Sequence, residues 1–370
     1  MSATAVVVGA GVFGAAVADR LAGEGLGVTL VEQAAPGHPG SESGGESRLM
    51  RCCHGGDELY TRSARRAREL WLQLREDLLV ECGVAWFARR EDGWEAEGER
   101  VMREQGIPVE RLSPEDGAEL FPSLRTDDLA CVLFEPEAGV LRAAAATRAL
   151  ADRAQELGAR LVRGQARPDG GAVLVGDRRL EADLVVWACG AWLASLFPEL
   201  VELRVTLQPV AFFHAPAPWQ PPNTPAYADY DGAAYGVGPL DGRGLKLALD
   251  EDGPPVDPSR RPAEASTEAI AKAREALTHR FPALADAPPE RSVTCHYSTT
   301  ADMSFVCDRH PGHEHVWLAG GGSGHGFKHG PAFAERAVAA MIGAAQPEPR
   351  FALGPRTAGR SLRTAGWDPG

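Results

Sequence analysis

The sequence predicts an α/β fold in two interleaved parts: a parallel-sheet, nucleotide-binding part that starts at the N-terminus, and a mixed-sheet α+β part inserted into it. Three observations carry the prediction. An apolar β-branched run at residues 4–8 leads through Gly9, Gly11 and Gly14 into a helical stretch and a second strand at 28–32, a Rossmann-like βαβ unit. The run ADLVVWACGAW (182–192) is continuously apolar and ends in small residues, as a buried parallel strand does where it reaches a ligand. A last strand, HVWLAG (315–320), precedes a glycine-rich turn and a further helix.

Composition bounds the rest. The 370 residues suffice for about two domains, and 44% apolar with 24% charged residues is ordinary for a globular enzyme. The net charge of −13 argues against nucleic acid or an anionic membrane as partner. No apolar run reaches the roughly 18 residues that span a bilayer. The chain enters TAVVVGAGVFG at once, without a leader pattern. Seven scattered cysteines, an odd number, suit a reducing compartment. A soluble cytoplasmic protein is expected.

In chain order, the first strand, glycine turn and helix to about Gly25 are followed by VTLVE (28–32), ending in Glu32. Leu59, Ala64, Ala67, Leu70, Trp71 and Leu74 then recur near helical spacing, with Asp57 as cap. Short strands and helices alternate over 82–135, and SPEDGAELF (113–121) begins with a capping pattern. An alanine-rich helix (141–157), a strand (159–163) and a hairpin around Gly176–Asp177 lead to the apolar strand. A proline-rich loop (214–225), strands near 233–237 and 245–249 and a helix near 266–281 follow, and RSVTCHYSTTADMSFVCD (291–308) opens as an alternating strand bearing Cys295. The final helix runs from about Gly330 to Ile342. The expected division assigns 1–80, 141–204 and 295–358 to the nucleotide-binding part and 81–140 and 205–294 to the substrate part. The segment after Ala345, rich in Pro, Gly and Arg, is expected to cross the surface, and 359–370 form a C-terminal tail outside both parts.

GxGxxG is weak alone, but here it follows a strand, opens a helix and has Glu32 placed 23 positions after Gly9. Gly9 permits the tight turn, Gly11 a close approach of pyrophosphate to the backbone beside Val12, and Gly14 helix–strand packing. The helix N-terminus favours phosphate, and Glu32 would accept from ribose hydroxyls. The motif does not separate NAD from FAD. Two features favour FAD: the motif lies at the extreme N-terminus, and no second such motif appears mid-chain for a nicotinamide cofactor. The late turn AGGGSGHGFKHGP (319–331) further suggests backbone amides packed against a second part of a large cofactor. On residue type alone Cys295 is open to four readings: a core residue, a nucleophile, a metal ligand or a covalent anchor.

The segments ESRLMR (46–51), FEPEAGVL (134–141), YGVGPLDGRGLKL (235–247), TCHY (294–297) and GSGHGFK (322–328), in this order, resemble the FAD-dependent amine oxidases of the monomeric sarcosine oxidase and N-methyltryptophan oxidase family. The resemblance spans about residues 4–355. It implies a glutathione-reductase-type FAD-binding domain and a monomer. It also implies a thioether from Cys295 to the flavin, with Ser47, Arg48, Gly322, Gly324, His325, Gly326 and Lys328 at the cofactor and Arg48 over its ring. Arg51 and Lys328 match the pair that binds the substrate carboxylate. Lys246 matches the lysine that promotes reaction with dioxygen, and Tyr235 and Tyr297 line the pocket. The implied reaction moves a hydride from a secondary amine or amino acid to flavin, gives an imine, and ends in hydrogen peroxide. The alternatives to this reading are an imino acid oxidase of specialised metabolism, a deglycating oxidase for fructosyl amino acids, and a flavin dehydrogenase that uses a carrier instead of dioxygen.

Two positions depart from that pattern. Asp250 stands where the family has an active-site histidine, and Gly44 where it has a second. An anionic Asp250 would favour a cationic substrate and could act as a base. Other signals are set aside. His310, His313 and His315 lack a cysteine pair and sit in a Pro/Gly turn. Cys52 and Cys53 point in different directions, and RSARRAR (62–68) reads as a solvated helix face. No metal is expected.

Overall fold

The computed structural model describes residues 3–365. Its central sheet has six strands in the order Val306–His310, His313–Gly320, Leu184–Trp187, Thr4–Val8, Gly27–Glu32 and Arg160–Arg163. All are parallel except the first, which pairs antiparallel with its neighbour. Alternation decides which layer each side chain joins. Ala5 and Val7 pack into the core beneath helices Val12–Gly23, Ala143–Glu156 and Gly330–Met341. Val6 and Val8 face the opposite way, into a core shared with Val173, Val175 and Val185. That side is covered by the meander Ala166–Asp169, Ala172–Val175 and Arg178–Leu180. Burial on both faces explains why these strands are apolar throughout.

A second, eight-stranded sheet runs Pro289–Thr299, Arg204–Phe213, Leu245–Leu249, Ala234–Val237, Ala226–Asp229, Val84–Ala88, Cys131–Glu135 and Glu110–Leu112. Every pair is antiparallel except Ala226–Asp229 with Val84–Ala88. Helix Thr267–Arg280 packs on it, burying Ala273 and Leu277 with Phe213 and Leu247. A small sheet of Ser47–Met50, Gly139–Arg142 and Leu79–Val80 carries the chain between the two layers. Helix Glu58–Leu74 starts where the Asp57 side chain accepts from the Tyr60 amide at 3.0 Å, and buries Tyr60, Ala64, Ala67 and Trp71 along one stripe. Its basic face is paired with acids: Arg65 with Glu137, Arg66 with Glu335, Arg68 with Glu81.

Three expectations need correction. The division between residues 294 and 295 cuts a continuous strand, Pro289–Thr299, which pairs with Arg204–Phe213 along its length. Cys295 therefore stands on the eight-stranded sheet. The alanine-rich helix begins at Ala143, because Gly139–Arg142 is spent on the small sheet. The C-terminal segment does not stay on the surface: Ser361, Leu362, Arg363 and Thr364 are buried. Residues 366–370 of that expected tail lie outside the described residues. No helix among the described residues is long and apolar enough to cross a membrane.

Candidate active site

At the carboxyl ends of the parallel strands lies a cavity of about 780 Å³. Its walls include Gly9, Gly11 and Val12 at one end, Glu32 beside them, and Arg48, Tyr297, Gly322, Gly324 and Gly326 toward the second sheet. The turn that shapes it needs its glycines. Gly9 has φ +99°, and a Cβ there would lie 2.3 Å from the Ala188 carbonyl oxygen; one on Gly14 would lie 1.8 Å from the carbonyl oxygen of Gly9. Helix Val12–Gly23 opens into this space from Gly11, whose residue type supplies no side-chain cap. The Glu32 carboxylate accepts from the Ala10 amide at 2.7 Å and the Ala34 amide at 2.8 Å, which fixes it at the cavity edge.

The cavity holds polar groups that a long, partly anionic cofactor would satisfy. His296 is fully buried in its wall, with neither ring nitrogen partnered among the described residues. Burial, then the charges of Arg261 and Arg48, push this imidazole down to about 4. Glu42 also lines the cavity and accepts from the Ser298 amide at 2.8 Å; burial pushes its carboxyl up to about 7. Ser43 Oγ accepts from the Val12 amide at 2.8 Å. The glycine cradle, ribose-ready carboxylate, orphaned imidazole and volume fit a dinucleotide of the size of FAD.

On the inner wall, Arg48 donates to the carbonyls of Glu42 (2.8 Å), Gly44 (3.0 Å) and Ser47 (2.8 Å). Its guanidinium lies 3.7 Å from the Cys295 Sγ and 5.7 Å from the centre of the Phe327 ring. Gly44 belongs to this arrangement: a Cβ there would meet the His38 carbonyl oxygen at 2.3 Å, so the loop as folded excludes a histidine. Lys246 is buried, donates to the Ser47 carbonyl at 3.1 Å and stands 5.2 Å from the Tyr235 ring centre. Burial, then Arg48, lower its ammonium to about 7. The Tyr235 and Tyr297 hydroxyls meet at 3.2 Å. Alternation along Pro289–Thr299 puts Cys295 and Tyr297 on one face, with His296 on the other.

Beyond the tyrosines, Arg51 and Lys328 are both buried, and neither has a carboxylate partner among the described residues. Arg51 donates to the carbonyls of Cys53 and Leu362 (3.2 Å for the latter) and packs 4.9 Å from the Trp86 ring centre. Lys328 Nζ donates to the His325 carbonyl at 2.8 Å. Burial, then their mutual repulsion for Lys328, holds both below their ordinary values. Nearby Glu135 is engaged elsewhere, accepting from the amides of Cys52 (2.6 Å) and Cys53 (3.2 Å) and from Trp86 Nε1 (2.8 Å).

Asp250 is not the free carboxylate that the sequence suggested. Arg363, from the C-terminal segment, donates to its Oδ1 at 2.5 Å and to its carbonyl at 2.8 Å, and bonds Asp252 at 3.0 Å. The same guanidinium lies 4.8 Å from the Tyr297 ring centre. An Asp250 with its charge matched in this way has little capacity left to serve as a base.

Sequence reasoning missed Glu42, Ser43, Glu135, His296 and Arg363. Glu135 and His296 had a sequence signal, their places within FEPEAGVL and TCHY. It also missed a buried trio, His54, His325 and His329, whose nitrogens are close enough to hold a metal ion. Hydrogen bonds account for most of the trio. His54 Nδ1 donates to the Cys52 carbonyl (2.9 Å), His325 Nε2 to the Met303 carbonyl (2.9 Å), Ser63 reaches His329 Nδ1 (2.9 Å), and the Nε2 atoms of His54 and His329 meet at 3.3 Å. Only His325 Nδ1 lacks a partner among the described residues. Burial, then the charge of Lys328, holds all three imidazoles neutral. A dication would add to the Arg51 and Lys328 charges, so the geometry favours a packed ring cluster. His325 itself lies behind the cavity wall. Ser47 is buried there too, its carbonyl taken by Arg48 and Lys246.

Comparison with known proteins agrees with this geometry. The family described as FAD dependent oxidoreductase matches residues 4–340. The chain is 29% identical to monomeric sarcosine oxidase of Bacillus sp. (strain B-0618), over 87% of this chain and 88% of that protein. It is 28% identical to N-methyl-L-tryptophan oxidase of Yersinia pestis (strain Pestoides F), over 93% and 95%. Among solved structures, L-proline dehydrogenase from P. horikoshii superposes with a TM-score of 0.81 at 21% identity, covering 94% of this chain and 96% of that one.

Proposed function

The chain belongs to the FAD dependent oxidoreductase family, and from that premise we propose that it oxidises a secondary amine bearing a carboxylate, N-methylated or cyclic, and passes the electrons to dioxygen. FAD, when bound, supplies the acceptor for the hydride that leaves the substrate carbon and returns the electrons to dioxygen as hydrogen peroxide. The observation that carries the reading is the pair of buried cations, Arg51 and Lys328, with only neutral carbonyls as partners. A buried charge left so is costly unless a ligand completes it.

The residues divide the work. Gly9, Gly11, Val12, Gly14 and Glu32 hold the dinucleotide end, while Arg48, Gly322, Gly324 and Gly326 form the wall at the ring end, backed by Ser47 and His325. Cys295, facing the Arg48 guanidinium, carries the flavin through a thioether. Arg51 forks onto the substrate carboxylate and Lys328 adds a point charge. Tyr235 and Tyr297 close the side of the pocket. Lys246 stabilises negative charge developing on dioxygen. The similarity to two proteins named as oxidases of N-methyl amino acids supports the substrate class, and the first of these supports action as a monomer. A cytoplasmic setting is supported by seven cysteines that are all unpaired. Anaerobic mixing with a panel of N-methyl and cyclic amino acids tests the class: at least one should bleach the flavin, and bleaching by none refutes it. One peroxide per turnover separates an oxidase from a carrier-linked dehydrogenase.

A further inference from the structure

Arg51 is held by this chain itself. Its Nη2 donates to the Leu362 carbonyl across 311 positions of sequence, so a neutral oxygen of the C-terminal segment sits where a substrate carboxylate would bind. That segment lies beyond the family match, which ends at residue 340. It is built in at several points. The Tyr230 hydroxyl donates to the Ser361 carbonyl at 3.0 Å, and the Ala365 amide to the Tyr230 carbonyl at 3.0 Å. Ser361 Oγ accepts from the amides of Arg363 and Thr364.

Arg363 ties the segment to the rest of the site. It pairs with Asp250 and Asp252, lies over the Tyr297 ring, and its Nε has no partner among the described residues. Its stem packs so closely on the cavity's Gly324 that a Cβ there would stand 2.9 Å from Arg363 Cδ.

We propose that residues 360–365 are a specificity element of the substrate site, with Arg363 as its latch and the Leu362 carbonyl as a placeholder that only an anionic group displaces from Arg51. The inference rests on the assignment of Arg51 to the substrate carboxylate. Both bonds have the ionised guanidinium as donor, but a carboxylate adds the attraction of opposite charges and can accept two parallel bonds from the fork. A carboxylate therefore exchanges favourably with Leu362, and a neutral amine or amide does not. The site admits amino acids and refuses plain amines, because the latter cannot release the segment. Asp250 serves by holding the latch.

The test uses the flavin-loaded full chain and two isosteric probes, acetate and acetamide, read by perturbation of the flavin absorbance. Acetate should bind and acetamide should not. Hydrogen–deuterium exchange at the amides of 363–365 should quicken when acetate saturates the site. In the double variant Asp250→Asn, Arg363→Met the latch is removed, and Asp252 keeps its ion pair with Arg204 at 3.2 Å. Acetate should then bind roughly three- to tenfold more tightly, because more of the protein is open, and the preference over acetamide should narrow. Acetate binding that leaves exchange at 363–365 unchanged, or a variant with unaltered or weaker acetate affinity, overturns the gate alone. If no carboxylate perturbs the flavin in either protein, the assignment of Arg51 falls, and the gate with it.

Discussion

Replacing Lys246 with methionine removes a buried ammonium and keeps an apolar stem of similar length, so the packing against Tyr235 should survive. The ammonium has one polar contact, the Ser47 carbonyl at 3.1 Å, and no carboxylate partner among the described residues. Its charge is therefore held without a direct ion pair, with Glu46 acting on it only from a distance. At about 4–5 Å from developing negative charge, and with an effective dielectric of about 20, the attraction is about 3–4 kcal/mol. Its loss corresponds to roughly two to three powers of ten in the rate of reaction with dioxygen. Burial lowers the lysine to about 7, which adds a sign. The charged form predominates below that pH and is lost above it, so the wild-type oxygen step should slow as pH rises through about 7. The variant should be flat there. Anaerobic reduction by substrate, followed by rapid mixing with oxygenated buffer, resolves the two half-reactions. Reduction should change by no more than a few-fold. Equal slowing of both half-reactions, or a wild-type oxygen step indifferent to pH, would refute the role.

Four further outcomes are expected. Acid precipitation should carry the yellow colour into the pellet, and Cys295→Ala should release it to the supernatant; colour released by the wild type would remove the tether. Arg51→Gln should raise KM for a carboxylate-bearing substrate by roughly tenfold or more, since a charge-assisted bond contributes about 1.5–3 kcal/mol, and an unchanged KM would remove Arg51 from the site. Asp250→Ala leaves Arg363 buried with half its carboxylate partners, so thermal or urea unfolding should show a loss of about 3 kcal/mol, whereas a base would show instead as a lost limb in the pH profile of flavin reduction. His296→Phe keeps the ring and its edge contact with Trp192 but removes both nitrogens. In a Cys295→Ala background this variant's apoprotein should bind flavin several-fold more weakly, with no change expected if the imidazole is mere packing.

The sequence revealed most where physics is local. The βαβ unit was legible because a strand, three glycines and a helix within one short stretch each serve a steric need, seen at Gly9 and Gly14 as carbonyl contacts that no Cβ could survive. Helix Glu58–Leu74 was legible from its cap and stripe. The layer assignment of Cys295 was not, because an alternating strand reads the same in either sheet and its pairing with Arg204–Phe213 is a long-range fact. The tail was misread for a related reason. Its Pro, Gly and Arg content describes an irregular segment, and irregular segments are usually superficial. Here Arg363 finds Asp250 across 113 positions and Leu362 finds Arg51 across 311, and no local pattern encodes either meeting.

Those two contacts also reverse the electrostatic reading of the pocket. Taken alone, Asp250 in place of a histidine makes the site more acidic and points to a cationic substrate. In the fold, Arg363 brings a guanidinium into the same space and matches that charge, while Arg51 and Lys328 keep theirs uncompensated. The buried cations thus fall into two classes. Arg363 has two carboxylates and is structural in effect, a clasp between the tail and the strand end at Asp250. Arg51, Lys328 and Lys246 have only carbonyls, which solvate a charge without neutralising it. An interior that leaves three cations so disposed is stabilised by whatever anion enters, and the chemistry proposed here brings two: a substrate carboxylate toward Arg51 and Lys328, and reduced oxygen toward Lys246. The exchange of histidine for aspartate at 250 therefore alters how the pocket is closed more than what charge it selects.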